Sequence, residues 1–326
     1  MRKLNQRKVR WIIREMEKDE MSVYSIAKLQ GITPRWVREL YKYYQETGKY
    51  PYPRRPGRPL KPISDRDRLR VLAMKKRHPL SGALTLEKLL DREGDHIPHN
   101  RIHKILKEEG LAKNEPKKQK RRKWVRYQRK HSNSLWHTDW FETKDGEHIL
   151  PIEDDASRFI TGFGTFTREA AKNGVFVLEK AIKDYGGPKQ TMTDHGTPFT
   201  SLERETCKDP KPNAFQKCLS SHNIRHIKAR VKHPQSNGKV EKLGDTLFKL
   251  QKYYDNWEEV IEYYNYERMH WSLKTEECET PFKAYIRKMW PQSRVRFVKE
   301  HHKEVRKHAP EYLTLLEGNI NRKMRL

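Results

Sequence analysis

Strand-like sequence is confined to the part of this chain after residue 130. Before it, from Lys3 to about Lys49 and again from Ser64 to about Leu111, apolar residues recur at helical spacing. The chain must therefore join an all-α N-terminal part to a mixed α/β part. Tyr50 to Pro62, rich in Pro, Gly and Arg, parts the two helical blocks and is expected to be extended and solvated, because proline cannot continue a helix. Between Lys113 and Lys130 stand ten Lys/Arg against the single Glu115, a composition suited to a linker.

Beyond that linker, Leu135–Glu142, His148–Glu153 and Arg158–Phe166 are short β-branched or aromatic segments broken by Lys-Asp-Gly and Asp-Asp-Ala-Ser turns, a pattern that predicts three antiparallel strands. Arg168–Tyr185 then reads as a helix, Lys189–Thr193 as a strand, Ala214–His222 as a helix, Ile224–Ala229 as a strand and Gly238–Tyr254 as a long helix. This order predicts a mixed five-stranded sheet flanked by helices. The expected divisions are 1–49, a Pro/Arg-rich linker 50–63, a second helical domain 64–112, a basic linker 113–131, a core 132–290 and a basic extension 291–326.

The 326 residues carry 70 Lys and Arg against 43 Asp and Glu, a formal net charge of +27. A polyanion is the expected partner. No stretch approaches the roughly 18 apolar residues of a membrane span, so double-stranded nucleic acid is favoured over a membrane. The N-terminus has no apolar core of a secretory signal, which predicts a cytoplasmic, nucleoid-associated protein. Cys207, Cys218 and Cys278 are few, odd in number and widely spaced, fitting neither a disulfide framework nor a zinc site.

Ser25 to Val37 has the anatomy of a helix-turn-helix: Ala27 where two helices cross, Gly31 for the turn, Thr33 as N-cap, Pro34 at the first helical position and Val37 facing inward. Arg35, Arg38 and Lys42 then fall on the outer face, suited to phosphates and base edges in a major groove. A weaker unit, Leu84–Leu90 with Asn100–Lys107, turns Ile102, Ile105 and Leu106 inward and Arg101, Lys104 and Lys107 outward. Arg54, Arg55 and Arg58 lie in an extended Gly-Arg-Pro element that serves equally as a minor-groove contact or a spacer. Lys117, Lys118, Arg121 and Arg122 of the basic linker would meet phosphates without reading bases.

Three acids stand apart from this basic background. Asp139 lies in an alternating strand with His137 on its face, Asp194 ends a strand before His195-Gly196, and Glu241 is expected in the first turn of a helix whose stripe is Val240, Leu243, Leu247 and Leu250. Oxygen donors from three separate elements suit two Mg²⁺ or Mn²⁺ ions acting on a phosphodiester. Asp154 and Asp155, in the turn between the second and third strands, are read as hairpin or structural residues, and His99 and His103 as helix-face residues, since no cysteine pair follows them to complete a zinc site.

Trp136-His-Thr-Asp-Trp140, Ile152-Glu-Asp-Asp-Ala-Ser-Arg158, Thr193-Asp-His-Gly196 and His233-Pro-Gln-Ser-Asn-Gly-Lys-Val-Glu-Lys242 resemble the integrase-type core of DDE transposases from prokaryotic insertion sequences, related to retroviral integrases. The resemblance extends through Tyr264–Leu273 and Thr280–Lys283. It implies a ribonuclease-H-like fold, a DDE triad of Asp139, Asp194 and Glu241, and two divalent ions per site. It also implies cleavage at transposon ends followed by strand transfer into target DNA by a homodimer or higher oligomer, without a covalent protein–DNA intermediate. The alternatives are a transposase-derived DNA-binding regulator with an inactive core, or a phage or retroelement integrase.

Two features depart from the family pattern. The interval from Asp194 to Glu241 is longer than usual, and the excess is placed in a loop at Glu203–Asn213. Phe248 stands where members often carry a basic residue two turns past the Glu, leaving Lys242 or Lys249 to contact DNA, with His195 a further contact to the scissile strand.

Overall fold

A computed structural model describes residues 4–52, 62–112, 128–201, 211–229 and 234–316. Arg54, Arg55, Arg58, Lys117, Lys118, Arg121, Arg122 and most of the 203–213 segment lie outside the described residues. The chain divides into two compact units, Met1–Pro62 and Ile63–Leu326.

The first unit holds α1 (Gln6–Lys18), α2 (Val23–Gln30) and α3 (Pro34–Thr47). Asn5, Ser22 and Thr33 each accept a backbone N–H of the following first turn, which fixes where the helices begin. Gly31 ends α2 at φ +66°, a left-handed conformation that glycine adopts without strain. Val9, Ile12, Ile13, Ile26, Ala27, Val37 and Leu40 close the core. The turn, cap and inward-facing residues are those predicted from the sequence.

The second unit opens with α4 (Asp65–Arg77), α5 (Ala83–Arg92) and α6 (His99–Glu108). Ile102, Ile105 and Leu106 are buried as predicted, but no division follows at residue 112. The helices share their core with Met269 and Cys278. Trp271 Nε1 donates to Thr85 Oγ1 at 3.0 Å, and Lys88 pairs with Glu276 at 2.8 Å. The distant segment thus completes the apolar core of these three helices.

The sheet comprises β1 (Trp136–Thr138), β2 (Phe141–Glu142), β3 (His148–Asp154), β4 (Ile160–Phe166), β5 (Gln190–Thr193) and β6 (Arg225–Lys228). The sixth segment, against five predicted, arises because the first strand is interrupted without losing register. Thr138 faces Ile152 and Phe141 faces Ile149 on the same antiparallel partner, which sets Asp139 opposite Pro151. The Pro151 carbonyl points to this side, accepting Thr138 Oγ1 at 2.9 Å. Its nitrogen has no hydrogen to give there, so the ladder lapses.

β4 pairs with the other edge of β3, antiparallel, while β5 runs parallel to β1 and β6 parallel to β5. Between β4 and β5 runs α7 (Ala171–Tyr185), and between β5 and β6 runs α8 (Ala214–Ser221). Val177, Leu178, Ala181, Phe215 and Leu219 of these helices pack on Trp136, Trp140, Leu150 and Ile152 of the sheet.

After β6 come α9 (Pro234–Leu250), α10 (Trp257–Glu262), α11 (Pro281–Lys288), α12 (Pro291–Glu300) and α13 (His302–His308). α9 begins four residues before the predicted Gly238, since Pro234 can occupy a first helical position. Its stripe Leu243, Leu247 and Leu250 packs with Ile160, Val260, Tyr263 and Tyr264. The segment expected as a basic extension is folded as far as it is described. Phe297, Val298, Val305 and Ala309 join Phe159, Phe282 and Tyr285 in one core.

Candidate active site

β1 and β5 lie side by side and parallel, with Trp136 against Thr191 and His137 against Met192. Carrying that register forward two residues brings Asp139 opposite Asp194, each just past the C-terminal end of its strand. Neighbouring strands are about 4.8 Å apart, so the two carboxylates arise from adjacent backbone positions. Both residues are half-buried. Asp139 Oδ1 accepts the Trp140 N–H at 3.0 Å, and Asp194 Oδ1 accepts the Gly196 N–H at 2.9 Å. A Cβ on Gly196 would lie 3.0 Å from that same oxygen, so glycine leaves the carboxylate its room.

Alternation along the strand puts His137, Asp139 and Phe141 on one face, and α9 crosses that face. Lys239 of α9 pairs with Asp155, whose Oδ1 lies 2.9 Å from His137 Nε2. Farther along, Gly244 lies against Phe141, whose ring also meets Phe248 edge-on at 6.2 Å. Glu241 lies between these two anchors along the helix and is exposed. It lies two turns into α9 rather than in the predicted first turn.

The three carboxylates are not drawn within 4.8 Å of one another as a set; among the described residues only Glu179, Cys218 and His222 are. Two ions about 3.5–4 Å apart need no such single cluster, since different acids hold different ions. The donor set is entirely carboxylate oxygen, which suits a hard cation such as Mg²⁺.

Asp154 and Asp155, expected in a hairpin or structural role, are both fully buried. Asp154 accepts the N–H groups of Asn133 and Ser157, both at 2.9 Å, and the Ser157 hydroxyl at 2.6 Å. Burial pushes Asp155 up, but the His137 hydrogen bond and Lys239 outweigh it and hold the carboxyl below the usual range. The sequence marks Lys239 only by its place in the Asn-Gly-Lys-Val-Glu motif.

The predicted DNA contacts fare unevenly. On α3, Arg35 and Lys42 are exposed but pair with Glu39 and Glu46 one turn on, and Arg38 lies over the Tyr24 ring. Arg101 does not face outward as expected. It turns back to Asp67 of α4 at 2.8 Å, because that carboxylate lies within its reach in the helical bundle. Lys104 and Lys107 are exposed. His99 pairs with Glu87 at 3.1 Å.

His195 is exposed, and its Nε2 lies 2.7 Å from the Ala229 carbonyl, tying the ends of β5 and β6 together. Lys249 is exposed, and Lys242 reaches Asp245 at 3.5 Å. Phe248 packs between Phe141 and Trp257, so its position on α9 faces the sheet rather than solvent. Among the described residues no helix is long and apolar enough to cross a membrane.

Residues 129–234 match the family described as the integrase core domain. The match includes Asp139 and Asp194 and ends before Glu241. A putative integrase, ORF3, of Spiroplasma virus SpV1-C74 is 28% identical over 151 residues, 41% of this chain and 41% of its own. An uncharacterized 31.7 kDa protein of insertion element IS407 from Burkholderia multivorans is 30% identical over 140 residues, 37% of this chain and 46% of its own. The chain thus spans less than half the length of these curated relatives. Among solved structures, the simian T-cell lymphotropic virus intasome in complex with PP2A regulatory subunit B56 gamma is 20% identical, with a TM-score of 0.40 over 66% of this chain and 74% of that one. The HTLV-2 integrase catalytic core domain in complex with magnesium is 18% identical, with a TM-score of 0.37 over 48% of this chain and 97% of that one. Residues 129–234 are accordingly similar to an integrase core domain.

Proposed function

We propose that this chain is a DDE-type transposase of a prokaryotic insertion sequence. It binds terminal inverted repeats of double-stranded DNA through its N-terminal helices and cleaves and joins DNA with a ribonuclease-H-like core, acting as a homodimer or higher oligomer in the nucleoid. The observation that supports the reading is the parallel pairing of β1 with β5, the two strands that run directly into Asp139 and Asp194. Those three residues would hold two Mg²⁺ or Mn²⁺ ions, whose chemistry is to activate a water or 3′-hydroxyl and to stabilise the leaving oxygen.

The chain's own groups do the positioning. The Gly196 N–H orients the Asp194 carboxylate. Lys239, held by Asp155, and Gly244, lying on Phe141, would anchor the helix that carries Glu241. Exposed Arg35, Arg38, Lys42, Lys104, Lys107, Lys242 and Lys249 supply cationic surface for phosphates. The basic linker containing Lys117, Lys118, Arg121 and Arg122 adds sequence-independent attraction.

Incubating the protein with DNA carrying the element's ends and Mn²⁺ tests the reading. Nicks at one defined phosphate, followed by joined products, are expected; binding without any nick sinks the enzyme reading and leaves a DNA-binding regulator. The Spiroplasma virus relative favours a second reading, a viral integrase with the same chemistry. Inverted repeats immediately flanking the gene decide for the insertion sequence.

A further inference from the structure

Away from the triad, the structure gathers a thiol, an imidazole and a carboxylate. Cys218 lies on α8 and His222 is the residue that caps its end, so the two stand one helical turn apart on one side. Glu179 comes from α7, which packs on α8 through Leu178 and Leu219. One ligand atom from each of the three lies within 4.8 Å of those of the other two, and no other group of three or more such residues does so among the described residues. Cys218 is 7% exposed, whereas Glu179 and His222 are exposed.

We propose that Glu179, Cys218 and His222 form a binding site for one Zn²⁺, or a similar thiophilic divalent cation, joining α7 to the end of α8. Sulfur, nitrogen and oxygen donors together select a borderline-soft cation over Mg²⁺. Bonds of about 2.3 Å to sulfur and 2.0–2.2 Å to nitrogen and oxygen place tetrahedral donors roughly 3.3–3.8 Å apart. The present spacing closes by about an ångström of side-chain rotation, which exposed Glu179 and His222 can supply while buried Cys218 stays fixed. Three protein donors leave a fourth position for water.

Burial and the neighbouring Glu179 carboxylate push the Cys218 thiol up, so without a cation it is an inert, protonated packing group. Binding exchanges the thiol proton, released to solvent, for a sulfur–metal bond. Counting cysteines could not reveal this site, because two of its three donors are not cysteines and one comes from another helix. α8 leads directly into β6, the neighbour of the strand that ends just before Asp194, so the cation would pin that side of the sheet. The inference stands independently of the reaction proposed above.

The test uses full-length, reduced, metal-stripped protein titrated with Co²⁺ and then with Zn²⁺. One equivalent of Co²⁺ should give a thiolate-to-cobalt charge-transfer band, absent in Cys218→Ser, unchanged in Cys278→Ser, displaced by Zn²⁺ and indifferent to excess Mg²⁺. Glu179→Gln and His222→Gln should each weaken Zn²⁺ binding by about tenfold or more. Both residues are exposed, so these two variants settle the matter even if Cys218→Ser fails to fold. A missing thiolate band, a band that survives Cys218→Ser in folded protein, or Zn²⁺ affinity unchanged in both surface variants overturns the site.

Discussion

Gly244 lies directly against the ring of Phe141: a Cβ on Gly244 would come within 2.5 Å of Phe141 Cε1. That ring is itself held edge-on by Phe248, so it has little freedom to yield. Gly244→Ala should therefore lift α9 from the strand, destabilising the fold by about 1–3 kcal/mol. It should also lower DNA cleavage far more than DNA binding, because the displaced helix carries Glu241. Chemical denaturation and an end-cleavage assay measure the two effects, and an alanine variant with native stability would show that the contact is not rigid.

Asp139→Asn, Asp194→Asn and Glu241→Gln should each reduce cleavage and joining by about a thousandfold or more, with poor additivity since the three act as a unit. End binding should stay near normal, because the first unit's helices are untouched. Near-normal cleavage by any one of them removes that residue from the proposed triad.

Lys239→Met leaves a fully buried Asp155 short of a charged partner. Breaking such a pair from one side costs about 3 kcal/mol, whereas neutralising both sides costs much less. Urea denaturation of Lys239→Met, Asp155→Asn and the double variant should accordingly show strong coupling. Simple additivity of the two single losses would mean that the pair contributes no specific interaction.

Truncation before Ile63 should leave a folded second unit that has lost discrimination between end and scrambled DNA. Truncation at residue 112, the boundary that the sequence suggests, should instead expose Met269 and Cys278 and lower the melting temperature or cause aggregation. Thermal melts beside paired binding titrations at one salt concentration check both expectations. Equal melting of the two truncated chains would show that α4–α6 are dispensable to the core.

Stability should depend on pH through Glu153. Complete burial pushes this carboxyl up to about 7, against the opposing pull of Arg158, while an unfolded glutamate titrates near about 4.3. Between those values the folded protein keeps a proton that the unfolded chain has lost, so stability falls as pH rises through the window and levels off above it. Denaturation of wild type and Glu153→Gln at about pH 5 and about pH 8 should show the larger drop in wild type. Asp154, also raised by burial, is present in both and cancels. Identical drops would place the Glu153 titration elsewhere.

The sequence is most legible where the controlling interactions are local. Thr33, Pro34 and Gly31 announce the α2–α3 turn because caps and turn residues act within a few positions of themselves. Alternation likewise reveals that His137 and Asp139 share a face. What escaped detection is non-local. Arg101 faces outward by helical periodicity, but Asp67, from a different helix, draws it in. Asp155 reads as a hairpin or structural residue, but nothing near it in the sequence points to its partner Lys239, which α9 delivers. The strand break at Asp139 depends on Pro151, a partner that becomes evident only once the register is known. The 64–112 boundary fails for the same reason, since nothing near α4–α6 in the sequence indicates Met269 or Cys278.

That last arrangement has a bearing on how the chain is made. A ribosome adding roughly 5–20 residues per second finishes α6 long before it reaches residue 278. For on the order of ten to thirty seconds of synthesis, α4–α6 emerge with Val71, Leu86, Leu90 and Ile105 but without the residues that complete their apolar core. The newborn protein thus carries an open, sticky flank throughout translation of its sheet, and it is during this interval that a chaperone would find it.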